Sequence, residues 1–190
     1  GNILAVGSPG KENGTVRVFQ LEGNQWNVVG DPLLGPSTMS QFGHSVALSN
    51  DDNGSIRLIV GAPNYNVESS GSKNGMAQIY EMMVSGVQWV LEYTQVGRFD
   101  GDELGKSVDM DVSGSFAVIG VPGDDTRWEN GGEVIWLRRI SPSSDGVGWE
   151  EFLNDDPIFG DDRGYRIGEK LVLNRNGDAF MMSVPHANTT

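Results

Sequence analysis

Residues 101–108 read GDELGKSV, a glycine followed by Gly-Lys-Ser, the residue types of a loop that wraps phosphate oxygens in backbone N–H groups. The spacing does not suit that chemistry. Three residues separate the glycines where the loop has four, Asp100 stands in place of the first glycine, and Asp102 and Glu103 would turn negative charge towards an anion. No helix-forming run follows whose positive dipole end could compensate. GHSVA (43–47) likewise approaches the G-x-S-x-G nucleophile pattern. The chain has two histidines, His44 and His186, and no cysteine, so it offers no thiolate metal site, disulfide framework or zinc spacing. Asp and Glu are plentiful enough to supply the paired acids of glycosidic chemistry.

Charge narrows the partners. Among 190 residues, 26 acidic and 13 basic side chains leave a formal charge of −13, which repels nucleic acid and anionic lipid and suits divalent cations or basic ligands. No apolar run approaches the roughly 20 residues of a membrane helix, so no membrane insertion is expected. Twenty-seven glycines set among Val, Ile, Trp and Phe point to many short strands joined by turns.

The elements that position these residues recur. ILAVGSP (3–9), RLIVGAP (57–63), FAVIGVP (116–122) and AFMMSVP (179–185) align, with prolines 54, 59 and 63 residues apart. Upstream of three of them stand FGHSVALS (42–49), LGKSVDMD (104–111) and IGEKLVLN (167–174). Downstream come GTVRVFQL (14–21), GMAQIYEM (75–82) and GEVIWLRR (132–139), then NQWNVVGD (24–31), VQWVLEYT (87–94) and VGWEEFLN (147–154). Four strands at a period near 60 describe one antiparallel sheet per repeat. The second strand is apolar at nearly every residue, as when both faces are covered, and radial stacking would cover them.

The expected fold is therefore all-β, a β-propeller of four-stranded antiparallel blades. Residues 1–41 form a partial blade (strands two to four), 42–103 and 104–166 whole blades, and 167–190 a partial blade (strands one and two), so the chain is read as part of a larger ring. The recurring Trp26, Trp89 and Trp149 are expected to fill the wedge between blades, their indole N–H groups reaching loop carbonyls. GDELGKSV becomes the approach to a first strand. Its equivalents MSQFGHSV and YRIGEKLV lack the Lys-Ser pair, which is read as incidental, and Ser45, recurring as Ser107 and then Lys170, is no nucleophile.

At these residues the chain resembles the FG-GAP repeat family, the propeller repeat of integrin alpha subunits and many surface proteins. The likeness covers essentially the whole chain. It implies a six- or seven-bladed, integrin-alpha-like propeller, extracellular or at the cell surface, that is non-enzymatic. Such a module binds a protein or glycan, adheres, or contacts neighbouring subunits of a surface assembly. The other reading is an accessory propeller attached to a secreted hydrolase whose active site lies elsewhere.

The rim made by the connections between strands two and three and between blades varies most in length, and carries 13 of the acidic and six of the basic residues. Tyr65, Arg98, Phe99, Arg127, Trp128, Phe159 and Arg163 are its candidate binding residues. Acidic clusters there, Asp100/Asp102/Glu103, Asp124/Asp125 and Asp161/Asp162, are candidate cation ligands. The resemblance also implies calcium between strands one and two. The hairpins SNDDNGSIR, DVSGSF and NRNGDAF lack the family's alternating oxygen set and read better as tight turns. Three sequons, at Asn13, Asn53 and Asn188, fall in expected loops, as glycosylation in a secretory route requires.

Overall fold

The computed structural model describes residues 1–10, 12–51, 54–67, 73–83, 88–143, 146–152 and 157–186. Their regular structure is entirely β-strand, and no helix among them is long and apolar enough to cross a membrane. The first sheet holds β1 (Ile3–Ser8), β2 (Thr15–Glu22) and β3 (Gln25–Leu34). The second holds β4 (Ser45–Asn50), β5 (Ile56–Ala62), β6 (Met76–Met82) and β7 (Trp89–Val96). In the third are β8 (Val108–Met110), β9 (Phe116–Val121), β10 (Glu133–Ser143) and β11 (Gly146–Glu151), with the short β12 (Ile158–Phe159) also on β10. The fourth pairs β13 (Leu171–Leu173) with β14 (Phe180–Met182). Neighbours are antiparallel and lie in chain order, as short connections between sequential strands dictate.

Two-sided burial explains the apolar second strands. On β5, Leu58 and Val60 pack with Val16 and Val18 of the first sheet, while Ile59 packs with Ile119 and Leu137 of the third. All three β5 residues are fully buried. The third sheet repeats the arrangement, its Val118 and Val134 joining Leu171 and Leu173 of the fourth. The first strands β4 and β8 pack side by side, as do β8 and β13, and the outer strands β3, β7 and β11 touch less. Leu4 and Val6, which align with Leu58 and Val60, are 44% and 41% exposed on the face of the first sheet turned from the second.

The junction between sheets is built alike each time. Phe42, Leu104 and Ile167, all buried, form parallel bridges to Gly14, Gly75 and Gly132 of the preceding sheet. The next residues, Gly43, Gly105 and Gly168, take φ of 87°, 84° and 89°, a region closed to most side chains. Their carbonyls lie against Gly7, Gly61 and Gly120, where a Cβ would overlap the backbone oxygen. The Ser45 hydroxyl donates to the Gly105 carbonyl at 2.8 Å, and Ser107 to that of Gly168 at 2.6 Å. The serine of GDELGKSV is thus an inter-sheet tie and not incidental.

Two other expectations change. Phe159 is not a loop residue: it sits half-buried on β12, in register with Glu133. Trp149 is buried between the second and third sheets, but its indole N–H donates to the Glu92 carboxylate at 3.2 Å, not to a loop carbonyl. Trp89 is half-buried against the first sheet, and Trp26 is 47% exposed on the face of the first sheet turned from the second.

A groove between the second and third sheets

The second strand-to-strand loops and the connections between sheets meet at one end of the molecule. After β7, Gly97 donates to the Gly75 carbonyl and the chain turns, displaying Arg98 and Phe99. Asp102 fixes that turn, its Oδ2 accepting the Phe99 N–H at 2.8 Å. Opposite, the loop from β9 to β10 is shaped by its own acids. Asp124 accepts both the backbone N–H and the hydroxyl of Thr126 at 2.9 Å, and Asp125 accepts the Asn130 N–H at 2.6 Å. Short side chains binding the backbone two to five residues on is ordinary turn chemistry.

Between these loops lies an open groove of about 550 Å³ lined by Arg98, Phe99, Asp125 and Thr126. Phe99 is 56% exposed, an apolar ring held out into water beside a guanidinium and a carboxylate. Trp128, also exposed, sits on the same β9–β10 loop.

Behind the groove Asp102, Asp124 and Glu133 are buried. Burial pushes the Glu133 carboxyl up to about 7, against the pull of the Arg98 guanidinium 3.6 Å away; Asp124, Glu151 and Asp102 raise it further. Asp102 is raised too, first by burial and then by Asp124 and Asp125, while the N–H of Phe99 opposes the shift. Its Oδ1 is buried without a hydrogen-bond partner among the described residues. Desolvation outweighs the ion pair here because Arg98 is itself half in water, where its attraction is screened.

The structure thus brings Arg98, Phe99 and Asp125 together. Arg127 is exposed on the β9–β10 loop, and Arg163 pairs with its Glu129 at 3.3 Å on the surface. Tyr65 is half-buried against the core shared by the first and second sheets and stays apart from the groove. Of the acidic clusters, Asp124/Asp125 lies at the groove with Asp102 near it, while Asp100 accepts the Lys73 N–H, Asp162 accepts the Arg163 N–H, and Asp161 is exposed. Glu103 binds Arg166 at 2.7 Å. Among the described residues no group of three or more His, Asp or Glu is arranged to hold a metal ion.

In the hairpins where the resemblance implies calcium, the leading side chain closes the turn. Asp111 accepts from the backbone of Ser113, Ser115 and Phe116, Asn174 from Asp178 and Ala179, and Asp51 from Ser55. Of the sequons, Asn53 and Asn188 lie outside the described residues. Asn13 is half-buried, its amide donating to the Gly35 carbonyl at 3.1 Å.

A polar network at the other end escaped the sequence reading. Arg57 of β5 pairs with Glu81 of β6 and, at 3.7 Å, with Glu92 of β7. Arg139 of β10 reaches the same two carboxylates from the third sheet, Glu92 at 2.8 Å. In EVIWLRR the alternation does put Glu133 and Arg139 on the face of Ile135 and Leu137. Which charges they meet depends on the neighbouring sheet. Compared with protein-family models and with curated proteins, the chain matches none of either.

Proposed function

We propose that this protein is a non-enzymatic β-propeller module of the FG-GAP kind that acts outside the cell or at its surface and binds a protein or glycan. The sheets are its blades, and the first strands β4, β8 and β13 line the axis. Support for the architecture comes from the recurring glycine contacts, from inner strands packed closer than outer ones, and from β5 and β9 covered on both faces.

The observation that carries the binding role is Phe99, exposed between Arg98 on one sheet and Asp125 with Thr126 on the next. An aromatic face beside a fixed guanidinium and a carboxylate can stack a sugar ring or seat a protein side chain. The carboxyls behind it, Asp102, Asp124 and Glu133, are buried, so among the described residues the groove presents anchoring groups and a single carboxylate, Asp125.

The test is a screen of the protein against glycan arrays and extracellular proteins, repeated with Arg98→Ala/Phe99→Ala. The double variant should lose its ligand by at least about tenfold in Kd with an unchanged melting curve. A ligand retained at full strength by that variant, or turnover of a glycan by the unmodified protein, would sink the reading.

A further inference from the structure

At the opposite end, the hairpins β4–β5, β8–β9 and β13–β14 surround a polar cleft of about 380 Å³, within the roughly 300–1,000 Å³ of small-ligand sites. Three guanidiniums line it, each from a different sheet: Arg57, Arg139 and Arg175. In a chain of charge −13 this convergence is unexpected from composition.

The two inner arginines are held rigidly. The Arg57 side chain is only 7% exposed; it binds Glu81 and donates to the Ser113 carbonyl at 3.3 Å. Arg139 is anchored through one terminal nitrogen to Glu81 and Glu92. The Nε atoms of both are buried without a hydrogen-bond acceptor among the described residues. Arg175, on the β13–β14 hairpin, is exposed and makes no ion pair among the described residues. Rigid donors with one free guanidinium suit an anion, since little ordering remains to be done on binding.

Other groups in the cleft define that anion. Asp51 lines the same space and would repel a dianionic phosphate about twice as strongly as a single carboxylate, whose neighbouring hydroxyls can turn towards it. Hydroxyls can donate to Asp51 and exchange hydrogen bonds with Asn50 and Ser115. We propose that this cleft is a binding site for a carboxylated sugar, with Arg175 and Arg139 holding the carboxylate over the fixed base formed by Arg57.

Methyl glucuronide and methyl glucoside, which share a ring and differ in the carboxylate, test it by calorimetry and amide chemical-shift mapping. The glucuronide should bind at least about tenfold tighter, shifting residues 112–115 and 175. Arg175→Gln should erase that preference with an unchanged melting curve, and Arg175→Lys should keep part of it. The proposal is overturned by equal binding of the two sugars, by a preference that survives Arg175→Gln, or by shifts confined to the Arg98 end. Equal binding of a short glutamyl peptide would overturn the assignment to a sugar.

Discussion

The Ser107 hydroxyl donates to the Gly168 carbonyl 61 residues away at 2.6 Å, a bond repeated by Ser45 and Gly105 at 2.8 Å. Each crosses from one sheet to the next beside a pair of glycines whose backbones touch. Ser107→Ala should leave a carbonyl at a buried junction with one acceptor site unused, costing about 1 kcal/mol in urea-induced unfolding. Ser45→Ala should cost less, because Ser45 is less buried.

At the same junction, Gly61→Ala introduces a methyl that overlaps the Gly105 carbonyl and the Ser45 hydroxyl. Backbone must move apart, and the expected loss is about 3 kcal/mol. Gly10→Ala meets nothing within 4 Å and should change stability by under about 0.5 kcal/mol, so a chemical denaturation series on the pair separates close approach from loss of glycine as such.

Glu133 couples stability to pH. Folded, its carboxyl holds a proton up to about 7; unfolded, it releases it near 4.5, so between those values the folded state binds more protons. This stability is fully present below pH 4.5 and is lost as pH rises through 7, amounting to something on the order of 2–3 kcal/mol. Asp102 is shifted in the same direction. Thermal melts of Glu133→Gln should show a smaller fall in Tm from pH 5 to pH 8 than the unmodified protein.

Glu92 accepts from Arg139 and Trp149 of the neighbouring sheet and faces Arg57 of its own. Glu92→Gln keeps the shape but leaves two largely buried guanidiniums sharing Glu81 alone. Breaking one side of such a cluster should cost roughly 3 kcal/mol by denaturant titration. Glu150→Gln, which disturbs only the exposed pair with Arg138, should cost under about 1 kcal/mol.

Much of the fold was readable from amino-acid order. Continuous apolar runs and the spacing of GSP, GAP, GVP and SVP located the second strands, and the matched runs placed β4 to β11 on their observed segments within a few residues. Asn-Gly and Ser-Gly marked the tight hairpins. Short-range sterics and a two-residue period need no knowledge of what lies across the core.

The site was less legible. Arg98 and Phe99 stood out as exposed types in a variable loop, but Thr126 and Glu133 did not, and Tyr65 and Phe159 lie half-buried outside the groove. Those outcomes depend on which loop of one sheet faces which loop of the next, a separation of 20 to 60 residues in sequence. The shifted Glu133, the Arg57–Glu81–Glu92–Arg139 network and the serine ties have the same origin. A charge or hydroxyl takes its behaviour from burial and partners, and a neighbouring sheet supplies both.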